Sequence, residues 1–207
     1  NCPRGTEVIE QLQEAYGERL IAVGIHGGPL GFKGNARNVG LATDLGDEYY
    51  GHWNLEYQPV GLINRGGATN YPDWIKAVRE AFSQEAKTKL DAAATLNGST
   101  VSITVKAERL SDSYNGKLQV WVLEDGIVAI QSMPDGTVNR EYVHNHVLRT
   151  AVNGTWGDTV DLKETETKTM IYTQSLDAGW NREKLSIVAF VYNDDGVEQA
   201  VKAKVTE

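Results

Sequence analysis

The chain has 207 residues, 41% of them hydrophobic and 23% charged, a balance that supports a packed core and excludes a disordered polymer. Its formal net charge of -8 offers no basic stripe to displace phosphate counterions, so no nucleic-acid partner is expected. No stretch is apolar enough to read as a membrane-spanning helix, and the one cysteine, Cys2, forms no internal disulfide, so stability must come from burial.

In chain order, Val8, Ile9, Leu12 and Ala15 recur at helical spacing, with Gly17 as a stop. Arg19 to Ile25 is a short apolar run that predicts a buried parallel strand. A loop rich in turn formers follows, from His26 through Asn35. A second helix is predicted within Val39 to Trp53, capped by Thr43 or Asp44. Pro59 to Asn64 reads as another strand. Pro72 to Lys89 reads as a long amphipathic helix with Trp74, Ile75, Val78 and Phe82 on one face.

From Ala93 the period changes to two. Val101, Ile103 and Val105 alternate with Ser102, Thr104 and Lys106, and Leu118–Val122, Leu185–Ala189 and Val197–Val205 continue the strand pattern. Asn115-Gly116, Asp125-Gly126, Asp135-Gly136 and Asp195-Gly196 read as turns between them. Strands without helical interludes indicate an antiparallel sandwich. The expected architecture is therefore α+β with two domains. Residues 1–91 form a thioredoxin-like α/β domain lacking its first strand, and residues 92–207 form an immunoglobulin-like β-sandwich.

Three features carry the thioredoxin-like reading. Cys2-Pro3 precedes a helix, an apolar strand follows that helix, and Pro59 opens a later strand. A thiol at a helix N-terminus lies where the macrodipole favours thiolate. Cys2 corresponds to the second cysteine of a Cys-x-x-Cys pair whose first member would lie three residues upstream. If the chain is redox-active, Cys2 and Pro59 are its catalytic residues, and Gln58, just before Pro59, would meet the incoming substrate.

His144-Asn145-His146 places two imidazoles on one strand face. A metal site needs further ligands, and His26 and His52 fall in the other half, so local hydrogen bonding is the simpler expectation and neither metal nor cofactor is expected. Trp156 and Trp180 sit in glycine-bounded turns. Exposed there, they would stack on sugars or form a protein interface; otherwise they cover an open end of the core. Glu124, Asp125, Asp194 and Asp195 cluster at turns, where turn chemistry explains them without calcium.

The chain resembles the outer membrane protein 28-related lipoproteins of Gram-negative gut and oral bacteria. The resemblance rests on Asn1-Cys2-Pro3 as the tail of a Cys-x-Asn-Cys-Pro element and on Gln58-Pro59-Val60-Gly61. It continues through Tyr142-Val143-His144-Asn145-His146-Val147-Leu148-Arg149 and Asn153-Gly154-Thr155-Trp156-Gly157. It implies a thioredoxin-like part with an added β domain and a lipid anchor outside this chain, in the outer membrane. It also implies a binding or adhesive role toward a protein or glycan partner at the cell surface. Two alternatives stand beside that role. One is a thiol-disulfide oxidoreductase using Cys2 and an upstream cysteine; the other is glycan capture by Trp156 and Trp180.

Overall fold

The computed structural model describes residues 2–207. In chain order its elements are α1 (Cys2–Tyr16), α2 (Asp44–His52), β1 (Val60–Gly61), β2 (Thr69–Asn70), α3 (Trp74–Phe82), β3 (Thr88–Asn97), β4 (Thr100–Arg109) and β5 (Tyr114–Glu124). They continue with β6 (Ile127–Ser132), β7 (Val138–His144), β8 (Val147–Ala151), β9 (Asp158–Leu162), β10 (Thr167–Ser175), β11 (Leu185–Asn193) and β12 (Gly196–Thr206). The fold is mixed α+β, with few helices and a predominance of sheet. The chain packs as two units: residues 1–84 with 126–148, and residues 85–125 with 149–207. The sequence reading, with one boundary near residue 91, contains no signal of the excursion at 126–148.

In the first unit, α1 and α3 bury one apolar stripe each. Leu12, Trp74 and Val78 form the shared core, and Val8, Ile9 and Phe82 pack around it. Each of the three buried side chains contributes about 1.5–3 kcal/mol of transfer free energy. Tyr16 stacks on Phe82 with ring centroids 4.3 Å apart, and the Arg19 guanidinium lies over the same ring. The α2 start is set by Thr43, whose Oγ1 accepts the Gly46 N–H at 2.9 Å. Asp44 and Asp47 in its first turn complement the helix dipole.

Three elements differ from expectation here. The predicted strand at Arg19–Ile25 is reduced to one parallel bridge between Gly24 and Val147. Residues 20–24 are half-buried rather than buried, so the run lacks the two-sided cover that a parallel strand needs. The strand at Pro59–Asn64 shrinks to β1, paired with β2, before a 3-10 turn at Ile63–Arg65. The long helix at Pro72–Lys89 stops at Phe82. Pro72 lies in a preceding 3-10 turn, and Thr88 and Lys89 already belong to β3; pairing with β4 overrides their helical register.

The hairpin β6–β7 belongs to this first unit. Its inner face carries Ile127, Ala129 and His144, all buried. Ile127 and Ala129 join Leu41 and Val147 in a second small core. The Gly24 N–H donates to the His146 carbonyl at 2.7 Å, and the Leu148 N–H donates to the Gly24 carbonyl at 2.9 Å.

The second unit is a curled sheet. Strand order runs β10-β4-β3-β12-β11-β5-β8, with β9 also on β5. β12 makes the curl: it pairs antiparallel with β11 along most of its length, and Val205 and Thr206 at its end pair parallel with β3. One core results, filled by Val101, Ile103 and Val105 from β4, Leu118, Val120 and Val122 from β5, and Ile187, Ala189 and Val191 from β11. The alternation expected of β4 is present. Leu118–Val122 and Leu185–Ala189 are instead buried at every position, the pattern of strands covered on both faces.

Of the turns expected from sequence, Asp135-Gly136 lies in the β6–β7 connection, whereas the β11–β12 turn is Asp194-Asp195, with Gly196 already the first residue of β12. Asn115-Gly116 is not a turn but part of β5. A Cβ at Gly116 would stand 2.5 Å from the Tyr192 carbonyl oxygen and 2.7 Å from the Tyr114 ring, so the glycine answers a close approach rather than a reversal.

Candidate functional site

Three groups of chemically capable residues are positioned by this fold. The first surrounds the start of α1. Cys2 is the helix's first described residue, a free, half-buried thiol whose carbonyl accepts the Thr6 hydroxyl at 3.2 Å. One turn on, Gly5 is buried against Pro59 and Trp74: a Cβ there would lie 3.2 Å from Pro59 Cγ and from Trp74 Cη2. The absence of a side chain at Gly5 lets Pro59 pack onto the turn that carries the thiol. The Gln58–Pro59 bond is cis. Gln58 Nε2 donates to the Gly27 carbonyl at 2.9 Å, while its Oε1 is buried without a partner. Trp74 is fixed by its Nε1 donating to the Thr69 carbonyl at 2.8 Å.

The second group gathers around His144. Its imidazole meets His26 edge-on at 5.6 Å and Tyr142 at 5.0 Å between ring centroids. The sequence placed His26 in the other half; the hairpin excursion brings it beside His144. Burial pushes the His144 imidazole below its ordinary value, opposed by hydrogen bonds to the backbone of Ala129 and Ile130. Its Nε2 is buried without a partner. Among the described residues, no group of three or more His, Cys, Asp or Glu side chains is placed to hold a metal ion. Nearby, the Gly28 N–H and then Lys33 hold the Asp47 carboxyl below the usual carboxylate range.

The third group is apolar and exposed. β6 and β7 alternate, so the face opposite Ile127 and His144 points outward. There Val128 and Val143 are direct cross-strand partners, 50% and 52% exposed. Val39, 55% exposed, and Val128 line one shallow groove whose polar rim is Arg37, Asn38, Arg140 and Glu141. Arg140 Nη1 donates to Asn38 Oδ1 at 2.8 Å, tying the hairpin to the loop before α2. Sequence reasoning did not single out this face, because Ile127-Val128-Ala129-Ile130 reads as one apolar run without alternation.

The two tryptophans named from sequence lie apart. Trp180 packs against the curled-sheet core. Its neighbour Asn181 donates its N–H to Glu124 Oε2. Trp156 lends its carbonyl to the Tyr192 hydroxyl. Glu124 pairs with Leu185 and Tyr192 with Lys117, so the two anchors are roughly 23 Å apart along β5 at strand rise. Of the acidic residues named from sequence, Glu124 ends β5 and pairs with Arg149 at 3.0 Å, and the Asp195 backbone N–H donates to Asn193 Oδ1.

A family model described as outer membrane protein Omp28 matches residues 46–207. A domain of the outer membrane lipoprotein Omp28 from Porphyromonas gingivalis is 30% identical, over 59% of this chain and 91% of that one, with a TM-score of 0.44. HBP35 of Porphyromonas gingivalis shares the fold over 99% of this chain and 70% of its own, at 16% identity and a TM-score of 0.76. No curated protein matches.

Proposed function

Since the chain belongs to the Omp28 family of outer membrane proteins, we propose that it is a binding protein of the bacterial outer membrane and that β6–β7 carries its contact surface. The observation that supports this reading is the exposed Val128–Val143 pair, continued by Val39 and rimmed by Arg37, Arg140 and Glu141. An apolar patch with a charged rim suits a protein partner. The unit that bears it contains the cysteine-led helix and the Pro59 strand entry. In this reading that unit is a thioredoxin-like scaffold, and the curled sheet is an immunoglobulin-like module. The test is saturable binding of the full chain to an immobilised panel of cell-surface proteins and glycans. Saturable binding to a protein is expected. Absence of saturable binding to any member of a broad panel contradicts the reading.

A second reading keeps Cys2 and Pro59 as a thiol-disulfide site. The packing of Pro59 on the Gly5 turn supports it, because that turn also carries the thiol. Glycan capture at Trp156 and Trp180 would require two separate sites, given their spacing along β5.

A further inference from the structure

β10 ends the curled sheet, with β4 on one side and, among the described residues, no strand on the other. Natural edge strands are short, bulged, interrupted by proline or guarded by an outward lysine. β10 has none of these devices. It runs nine residues, Thr167–Ser175, in unbroken register with β4, longer than the usual five or six. Its one charged residue, Lys168, is turned away from the edge, with Nζ on the Asp161 carbonyl at 2.6 Å and near Glu166 at 3.6 Å.

The direction of its main-chain groups follows from the flanking bonds. The Arg109 N–H donates to the Glu166 carbonyl and the Leu176 N–H to the Ser99 carbonyl, both at 2.9 Å. Even-numbered positions therefore face β4. Thr167, Thr169, Ile171, Thr173 and Ser175 direct their N–H and C=O groups at the open edge. The side chains of these same five residues are exposed. Ile171, at the centre, is 73% exposed, whereas Met170 and Tyr172 pack against the core.

From this we infer that β10 pairs antiparallel with β10 of a second copy about a two-fold axis at Ile171, joining two curled sheets into one. That centre alone brings all nine residues into register, and it sets every outward-facing position against another. Ile171 meets its symmetry mate, Thr169 meets Thr173, and Thr167 meets Ser175. On the other face Lys168 meets Gln174, so no like charges oppose each other. Threonine ladders and β-branched pairs are favourable cross-strand neighbours, and a self-complementary patch is what a two-fold dimer requires. The second copy is the occupant because the strand is its own complement in hydrogen bonding, side-chain type and charge. This inference is independent of the hairpin surface.

The test is sedimentation equilibrium of the full chain with two variants. Ile171→Lys sets two ammonium groups against each other. Ile171→Pro removes an N–H that β4 does not use, so the monomer's ladder is preserved. A concentration-dependent dimer is expected, weakened about tenfold or more by either variant, with unchanged circular dichroism. In a Cys2→Ser background, Ile171→Cys is expected to oxidise to a disulfide-linked dimer. A monomer at every concentration overturns the inference, as does a dimer that neither variant weakens. Pairing with an extended foreign peptide, without self-association, also overturns it.

Discussion

His26 and His144 meet edge to face with ring centroids 5.6 Å apart, one from the loop after α1 and the other from the last position of β7. The contact exists because the hairpin at 126–148 leaves the curled sheet and packs with residues 1–84. It puts a buried imidazole beside a second titratable ring.

That burial has a pH consequence. The folded-state pKa of His144 is lowered, chiefly by desolvation. The unfolded chain therefore takes up a proton that the folded chain resists. The contribution is fully present above the unfolded value of about 6.5 and is lost as pH falls below it. The urea midpoint should drop between about pH 7 and pH 5, and His144→Gln should flatten that drop. An identical pH slope in wild type and variant contradicts the assignment.

Arg109 is the most deeply buried charge in the curled sheet, 3% exposed at its side chain. It bonds Glu198, Thr88 Oγ1 and the Asp112 carbonyl, and lies 5.1 Å from the Tyr114 ring centroid. Removing Glu198 leaves that buried guanidinium with the exposed Asp112 carboxylate, at 3.3 Å, as its remaining counter-charge. Glu198→Ala should cost about 3 kcal/mol in chemical denaturation, whereas the exposed pair Lys33–Asp44 should cost little when broken. Equal costs for the two would refute the ranking.

Asn153 acts as a clasp on β5. Its Oδ1 accepts the Val120 N–H at 2.9 Å, and its Nδ2 donates to the Leu118 carbonyl at 2.8 Å and to Asp158 at 3.1 Å. Asn153→Ala leaves two main-chain groups of a central strand unpaired and should destabilise by about 2–3 kcal/mol. Asn153→Asp keeps the acceptor, loses the donor and adds a charge next to Asp158, so it should not rescue. Full rescue by aspartate would show that the amide's donor side is dispensable.

The thiol reading makes its own prediction. If Cys2 acts with an upstream cysteine, the full-length protein should reduce insulin disulfides with a small thiol as electron source. Cys2→Ser should abolish turnover and leave a trapped mixed disulfide at the partner cysteine. Turnover unaffected by Cys2→Ser would remove Cys2 from the reaction.

Much of the local structure is legible from sequence because it rests on local physics. Thr43 is recognisable as a cap, the β4 alternation as a one-sided strand, and Asp135-Gly136 as part of a hairpin turn. The misread elements are those where distant residues decide. The run at 19–25 is apolar enough for a strand, but only Gly24 finds a partner. Gly116 resembles a turn glycine, yet its reason is the Tyr192 carbonyl on β11. Nothing within residues 126–148 announces that the hairpin leaves the sheet whose strands flank it. The exposed Val128–Val143 pair and the His26–His144 contact both follow from that departure, so neither was accessible before the fold.

The central claim is that β6–β7 is the binding surface, and paired charge substitutions test it most directly. Val128→Lys with Val143→Glu should leave the circular dichroism unchanged, because both side chains are half exposed and the opposite charges stand as direct cross-strand partners. Affinity for the captured protein partner should fall by about tenfold or more, measured by biolayer interferometry against wild type. Binding of the double variant with wild-type affinity would contradict the account.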